Sequence, residues 1–600
     1  MTDTPPGVGP IDTSLVVVDT PNVVSSTVFL ALRRLRTPLI VLILMYSTAT
    51  LGLMVVPGVD AEGNRTEPLS FFHAFYFVSY TATTIGFGEL PVPFSDAQRA
   101  WATVSIYLLV IGWSYAILVI LGLVQDKAFQ GAVSVNRFQR RVRRITEPFY
   151  LICGAGATGA LVTRNLTRQN RQCVVIDLDD QRIQDLDLED LPTDPPVLAA
   201  DARVTQNLLM AGLLHPLCHG VMALTDDDEA NLLIAIAARL LNAEYPILAR
   251  ATDPDIAQRL ASFGTDHILN PFDQFAGELA RSIAAPASYR LGELATAIPG
   301  AELPESYRPP RGAWIVCGFG RFGRVVTREL SLLGQPVTVL DARAHDLPGV
   351  RTIRAKTIRK PDLVAAGIEQ AAGIVAATDS DAENLSIALA ATRLQPRIFV
   401  VTRQNRAMDT PLFQAFHSDF SMVPTRMVAE EALAIVTTPL LTRFVRDVRQ
   451  REEPWCEEVI QRLVEVGHQR IPLFWGVTLT PELAPAVAHE LAAGRPMALS
   501  DLLRDPTDRD ETLEVVPLLL VRDEQDELMP SLEAELQPGD RMLFAGNALC
   551  KRRMMLTVSN ANVLRYVLTG REHPGGWLWQ KLNEPPKASP DDTGVWRLLD

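Results

Sequence analysis

Thr83-Thr84-Ile85-Gly86-Phe87-Gly88-Glu89 is the stretch whose residue types point most directly to chemistry. The useful groups there are backbone carbonyls and the Thr84 hydroxyl. A dehydrated monovalent cation needs rings of oxygen ligands, and copies of one extended backbone supply them. Carbonyls turn toward a common axis only if some residues take φ values that a Cβ disfavours, a role open to Gly86 and Gly88. A second group is Gly154-Ala155-Gly156-Ala157-Thr158-Gly159, with Asp177 eighteen residues beyond its last glycine. Glycines at that spacing allow a tight turn and close approach to a pyrophosphate at a helix N-terminus, and the acid suits ribose hydroxyls. Gly318-Phe319-Gly320-Arg321-Phe322-Gly323 and Asp341 repeat the pattern with the same offset. A third group, Asp226-Asp227-Asp228-Glu229, has the oxygen ligands that Ca²⁺ prefers. Adjacent acids also serve as solvated charge at a helix N-terminus.

These groups need elements to hold them. No charged residue lies between Arg36 and Asp60, or between Arg99 and Asp126. Both stretches reach the roughly 20 apolar residues that a bilayer span requires, with cores at Leu39–Val56 and Trp101–Val124. The segment between them, 69–83, is too short to cross and contains the aromatic run Phe71-Phe72-His73-Ala74-Phe75-Tyr76-Phe77. It is expected to be a re-entrant half-helix. Arg33, Arg34 and Arg36 precede the first span, and Lys127, Arg137, Arg140, Arg141, Arg143 and Arg144 follow the second. The intervening loop holds Arg65 and Arg99. The positive-inside rule places both termini in the cytoplasm and the Gly86–Gly88 mouth outside.

Downstream the chain repeats itself. The strand Phe149–Cys153 runs into the first glycine turn, a helix Ala160–Gln169 and a strand Cys173–Ile176 that ends at Asp177. Ala313–Cys317, the second glycine turn and Val337–Leu340 before Asp341 form the same unit. Val221–Leu232 and Ile374–Leu385 also match, including Thr225 against Thr378 and Asn231 against Asn384. A period of about 160 residues means duplicated α/β domains of Rossmann type, since solenoid repeats are much shorter. The copies differ after the third strand, where Asp201 in the first faces Lys356 in the second. The lysine predicts a different or more anionic ligand in the second copy, or none. Residues 454–570 read as a small α+β lobe, 299–312 as a linker, and Pro585–Asp600 as a loose tail.

Bulk properties exclude other classes. Six cysteines in apolar runs form no CxxC or Cys/His cluster and read as buried thiols in a reducing compartment. The nine histidines are scattered and suggest no catalytic constellation, so a membrane-tethered dehydrogenase is not expected. The first thirty residues lack a basic n-region, so no cleaved signal peptide is expected. No arginine row precedes the spans as a voltage sensor would require.

Taken together, the two spans, Thr84–Gly88, both glycine turns and the terminal lobe resemble prokaryotic two-transmembrane potassium channels with tandem RCK (TrkA-N/TrkA-C-like) domains. The resemblance covers about residues 31 to 570. It implies a homotetramer with an octameric RCK ring, gated by a nucleotide such as NAD, ADP or ATP, with Ca²⁺ a further ligand and no role for nucleic acid. Carbonyls of Thr84, Ile85, Gly86 and Phe87 would hold K⁺, with Gly88 completing the filter. Glu89 would brace it from behind against Tyr76. Phe87 and Glu89 stand where Tyr and Asp are commoner. Gly112 aligns with a gating hinge, although a glycine there also lets helices pack closely. Gly154, Gly156, Thr158, Gly159, Asp177, Asp201 and Thr225 would hold the first nucleotide. Gly318, Gly320, Arg321, Gly323 and Asp341 would hold a second. The implied boundaries are an N-terminal tail 1–30, pore 31–127, linker 128–147, first RCK domain 148–300, linker 301–312, second RCK N-lobe 313–450, C-terminal lobe 451–570 and tail 571–600. The competing expectations are a non-selective cation channel and a regulatory subunit of a Trk- or Kef-type transporter.

Overall fold

The computed structural model describes residues 23–571, apart from 61–63, 90–92, 298, 304–307 and 344–346, and without the side chains of 23–34, 127 and 128. Residues 1–22 of the expected N-terminal tail and 572–600 of the C-terminal tail lie outside the described residues.

Helix α1 spans Val23–Val55, so helix begins inside the segment expected to be tail. A two-residue antiparallel pair, β1 (Gly58–Val59) and β2 (Arg65–Thr66), follows it. Helix α2 spans Phe71–Ala82 and α3 spans Asp96–Gln125. At 1.5 Å per residue the twelve residues of α2 reach about 18 Å, too little to cross a bilayer. The apolar windows Leu35–Val55 and Asp96–Gln125 are long enough. Their side chains face outward in bulk, as Ile43, Leu44, Tyr107, Ile111 and Leu118 show. Ser95 starts α3 with a capping box to Gln98. The Gln98 amide donates to the Val56 carbonyl at 3.1 Å and the Trp101 indole donates to that of Ala49 at 3.1 Å, tying α3 to α1. The indole lies where a Cβ on Gly52 would fall. Ala49, Leu53, Leu69, Ala74, Val78 and Leu109 form the small core among α1, α2 and α3.

Helix α4 (Lys127–Arg143) follows α3 directly. Its buried Phe138 and Val142 contrast with the exposed apolar faces of α1 and α3. Arg141 donates to the Asp194 carbonyl at 2.8 Å and pairs with its carboxylate, so the expected linker is an anchored helix.

Two six-stranded sheets carry the repeat. The first contains β3 (Phe149–Cys153), α5 (Ala157–Arg168), β4 (Gln172–Asp177), α6 (Asp180–Asp187), β5 (Val197–Ala199), α7 (Thr205–Met210), β6 (Cys218–Ala223), α8 (Asp228–Leu241), β7 (Ile247–Arg250), α9 (Pro254–Ser262) and β8 (His267–Leu269). Its order is β5-β4-β3-β6-β7-β8. Helices α10 (Pro271–Ala284) and α11 (Pro286–Thr296) follow. The second contains β9 (Trp314–Cys317), α12 (Arg321–Leu332), β10 (Val337–Asp341), β11 (Arg351–Arg354), α13 (Lys360–Ala365), β12 (Gly373–Ala376), α14 (Asp381–Leu394), β13 (Phe399–Arg403), α15 (Thr410–Phe416) and β14 (Phe420–Met422). Its order, β11-β10-β9-β12-β13-β14, is the same, and every pair is parallel. In each sheet the order reverses beside the strand that carries the glycine turn, which puts a ligand crevice at the carboxyl ends there.

The copies exchange helices. Phe272, Phe275, Leu279 and Ile283 of α10 enter the core of Trp314, Val316, Phe322 and Val339 in the second copy. Fully burying each such side chain stabilises by about 1.5–3 kcal/mol. In return α16 (Pro424–Thr437) packs on α5. Helices α11, α17 (Pro439–Val448) and α18 (Glu453–Val466) share a core with the terminal lobe around Leu291, Phe444, Leu463 and Leu518. That lobe has β15 (Leu473–Thr478), α19 (Pro485–Ala492), α20 (Leu499–Leu502), β16 (Val515–Arg522), β17 (Gln525–Leu528), β18 (Arg541–Gly546), α21 (Ala548–Ser559) and α22 (Ala561–Thr569), with sheet order β15-β18-β16-β17, all antiparallel. The start of the expected linker is not free. Gly300 donates to Ile471 at 2.8 Å, and Ile471 returns a bond to Ala301 at 3.0 Å.

All six cysteines are buried and unpaired with one another. Burial pushes the Cys173 thiol up to about 12 and the Cys218 thiol up to about 11, which suppresses thiolate chemistry.

Candidate functional site

The stretch after α2 has an unusual backbone. Thr84 (φ +61°), Gly86 (+62°) and Gly88 (+71°) are left-handed, while Ile85 and Phe87 between them are not. Alternating handedness is the kind of backbone that an extended strand needs if successive carbonyls are to turn to one side. Nothing lies within 4 Å of a Cβ built on Gly86 or Gly88, so backbone conformation rather than space selects glycine there. Thr84 is β-branched and still left-handed, a strained state of the kind kept at functional sites. The turn is held because the amides of Ile85 and Gly86 both donate to the Tyr80 carbonyl, at 3.0 and 3.2 Å. All five residues Thr84–Gly88 are exposed within one chain.

Behind the turn, the Tyr76 hydroxyl donates to the Glu89 carboxylate at 3.2 Å. Tyr80 was missed by sequence reasoning. Its hydroxyl lies 3.4 Å from the Glu89 carbonyl, and its ring meets Phe87 edge-on at 6.3 Å. The i, i+4 spacing of Tyr76 and Tyr80 on α2 was the available signal. Gly112 is buried in the uninterrupted helix α3, and a Cβ there would fall 2.1 Å from Met45 Sδ.

In the first glycine turn, Gly154 has φ +109°, and a Cβ would fall 2.9 Å from Leu224 C and Thr225 N. Only glycine permits that approach. Gly156 caps α5 in extended conformation, leaving the first amides of the helix free of a side-chain cap. The carbonyl of Gly159 accepts from the Thr163 hydroxyl at 2.8 Å. The Thr158 hydroxyl beside this turn is buried and has no hydrogen-bond partner. A cradle closed to any Cβ, with uncapped amides at a helix start, fits a pyrophosphate. Asp177 ends β4, is 7% exposed, and its Oδ1 accepts from the Asp179 amide at 2.8 Å. Asp201 follows β5 and is held by its own neighbour. Arg203 donates to both its oxygens at 2.8–3.1 Å, and that bonding keeps the carboxyl below its usual range. Thr225 sits on Asn231, with its amide at 3.0 Å and its hydroxyl at 2.7 Å from Asn231 Oδ1. Asn231 also donates to the Arg250 carbonyl at 2.9 Å. The second copy repeats this with Thr378, Asn384 and Arg403. The Asn was visible in the repeat, but its bracing role needed the fold.

The expectation of Ca²⁺ at Asp226–Glu229 is corrected. Asp226 pairs with Arg250. Asp227 caps α8 through the amides of Glu229 and Ala230. Asp228 accepts from the Thr252 amide and hydroxyl and the Asp253 amide, at 2.8, 2.9 and 2.9 Å. Glu229 faces Arg259 at 3.7 Å. Four neighbouring acids on a helix start diverge to four partners. Among the described residues no cluster of three or more His, Cys, Asp or Glu converges on a metal position.

The second glycine turn has the same geometry. Gly318 has φ +102°, with a Cβ position 3.0 Å from Ala377 C and O, and a Cβ on Gly323 would fall 1.9 Å from the Gly318 carbonyl oxygen. Gly320 caps α12 in extended conformation. Asp341 accepts from the Phe319 and Arg343 amides, each at 2.7 Å, so the acid and the turn are brought together. Arg321 is placed elsewhere than expected. Its guanidinium donates to Thr252 Oγ1 at 2.6 Å and stacks over Phe272 at 5.9 Å, both in segments that follow the first sheet's β7 and β8.

Comparison with known proteins agrees with this division. Residues 39–125 match the ion channel family, and residues 150–271 and 314–424 each match the TrkA-N domain. "Potassium channel protein 1" of Methanocaldococcus jannaschii is 24% identical over 248 residues, covering 41% of this chain and 70% of that protein. An uncharacterised protein of Methanothermus fervidus is 28% identical over 235 residues, or 39% of this chain. The matched region spans only 35% of that relative's length. A solved structure described as the GsuK channel bound to NAD aligns over 89% of this chain and 99% of its own, at 16% identity and TM-score 0.43. A superposition that loose carries no functional argument.

Proposed function

We propose, for a chain that joins an ion-channel module to two TrkA-N domains and is homologous to archaeal potassium channels, that it conducts K⁺ selectively and is gated by a nucleotide. The observation that carries the reading is the left-handed alternation at Thr84, Gly86 and Gly88 directly after a half-length helix. One such strand offers one oxygen per level, so a ring around a dehydrated ion needs four copies. The assembly is then a homotetramer in the plasma membrane, with both termini cytoplasmic and eight Rossmann-type units forming a ring. Thr84, Ile85, Gly86 and Phe87 supply the carbonyls. Tyr76, Tyr80 and Glu89 hold the strand from behind, and Tyr80 offsets the hydroxyl that Phe87 lacks.

In the first copy Gly154, Gly156 and Gly159 admit the pyrophosphate of NAD or an adenine nucleotide, and Asp177 takes the ribose hydroxyls. Asp201 faces the adenosine side while neutralised by Arg203. No hydride transfer is proposed, and the nucleotide acts by its difference in affinity between two ring states. The ring pulls on α3 through α4, which Arg141 ties to Asp194.

The test is planar-bilayer recording of purified protein. A reversal potential near that of K⁺ in a K⁺/Na⁺ gradient is expected, together with a change in open probability on cytoplasmic NAD or ADP. Equal K⁺ and Na⁺ permeability would refute selectivity. Asp177→Ala should weaken the nucleotide response and leave unitary conductance unchanged.

A further inference from the structure

We infer that Arg321 is the residue that couples the first nucleotide mouth to the second copy. The inference rests on the reading that the first copy takes a nucleotide, and it assigns how occupancy is transmitted. Gly154 abuts Leu224 and Thr225, so a ligand entering that turn borders the loop Thr225–Asp228. Asp228 at the end of the loop holds Thr252 by its amide and its hydroxyl. A threonine hydroxyl has one proton to give and lone pairs to receive. Here it gives to Asp228 and receives from Arg321 at 2.6 Å. Arg321 is the first residue of α12, which starts from the second glycine turn. Asp228, Thr252 and Arg321 therefore form an unbroken polar chain from the loop of one mouth to the helix of the other.

The surroundings hold Arg321 in this role. Two guanidiniums lie over the ring of Phe272 in α10, Arg321 at 5.9 Å and Arg403 at 5.2 Å from its centre. Arg403 is itself anchored to Asp379 at 2.8 Å. The link runs one way. At the position equivalent to Arg321 the first copy has Ala157, and at the position equivalent to Thr252 the second has Asn405. Asn405 instead bonds Asp381 within its own copy. Duplication supplied two related loops, Thr225–Asp228 and Thr378–Asp381, and the first is the one joined through Thr252 to the other copy. Arg321 is thus a positioning residue for gating rather than a phosphate ligand.

The experiment uses full-length protein, with NAD as the probe, comparing wild type with Arg321→Ala, Arg321→Lys, Thr252→Val and Thr252→Ser. NAD binding is followed by calorimetry and its effect by open probability in bilayers. Arg321→Ala and Thr252→Val should still bind NAD but lose at least about fivefold of its effect on gating, the lower end of ordinary coupling. Arg321→Lys and Thr252→Ser keep a donor and a hydroxyl and should retain most of it. The two disruptive substitutions together should do no more than either alone. Hydrogen exchange without ligand is the second readout. Arg321→Ala should raise exchange in 226–232 as well as at the start of α12. Unchanged NAD gating in Arg321→Ala, or an exchange change confined to α12, would overturn the latch. Wild-type protein that ignores NAD, ADP and ATP alike would instead sink the nucleotide reading, and the exchange pattern would still decide whether Arg321 links the copies.

Discussion

Gly154→Ala is the perturbation whose consequence the geometry fixes best. At φ +109° an L-residue is outside the ordinary left-handed well, and such a backbone costs of order 1–3 kcal/mol. The added methyl would sit 2.9 Å from Leu224 C and Thr225 N, backbone atoms that cannot rotate away. Overpacking of this kind costs about 1–3 kcal/mol. The strain is relieved by withdrawing the turn from Leu224 and Thr225, which removes the geometry that a pyrophosphate would use. If about 3 kcal/mol must be repaid on binding, NAD affinity falls roughly 100-fold, at 1.4 kcal/mol per factor of ten. Calorimetric titration of detergent-solubilised full-length protein measures it. Gly334→Ala is the control. Its φ is +69° with nothing within 4 Å of the new methyl, so it should be mildly destabilising and leave NAD binding intact. Gly154→Ala with wild-type NAD affinity would refute the assignment of the turn as the phosphate cradle. Equal losses in both variants would show that backbone strain alone, not the site, is being read.

Other outcomes follow from single contacts. Burial lifts the Glu431 carboxyl to about 7, with Glu278 adding to the rise and Arg449 opposing it. The folded protein therefore holds a proton that the unfolded chain releases, and stability should increase as pH falls from about 7 toward the ordinary carboxylate range. Glu431→Gln should flatten the pH dependence of the thermal midpoint, and an unchanged slope would contradict this. Gly112→Ala should destabilise by about 1–3 kcal/mol through Met45, and Met45→Ala should restore it. Altered gating that Met45→Ala does not rescue would favour a hinge instead. Asp540 is 1% exposed and paired through both oxygens to Arg522 at 2.7 and 2.8 Å. Arg522→Leu leaves that buried charge without its counter-ion, bonded by the Gln537 amide at 2.8 Å, and should lower the thermal midpoint by the equivalent of about 3–5 kcal/mol. A loss under about 1 kcal/mol would mean the pair is solvated.

Much of the architecture was readable because its causes are local. Thr84–Gly88, the glycine turns and the acids ending β4 and β10 act through backbone or through residues at fixed offsets. Their patterns survive without knowledge of distant partners. The same holds for the uncharged spans, whose length alone states the solvent that they need. Elements whose meaning depends on what packs beside them were misread. The loop acids looked like a metal site because sequence shows their adjacency and hides Arg250, Thr252 and Arg259, which separate them. Residues 300–301 looked like linker because their partner Ile471 lies in the terminal lobe.

Arg321 shows where the division falls. By its place in a glycine turn it belongs with phosphate, and the sequence by itself determined that a second Rossmann-type unit starts there. Only the tertiary structure decided that its guanidinium turns to Thr252, 69 positions earlier. A long cationic side chain goes to whichever acceptor and aromatic face the fold brings within reach, here Thr252 after β7 and Phe272 on the exchanged helix α10. Backbone chemistry is fixed by neighbours in sequence, whereas side-chain chemistry at a distance is fixed by neighbours in space.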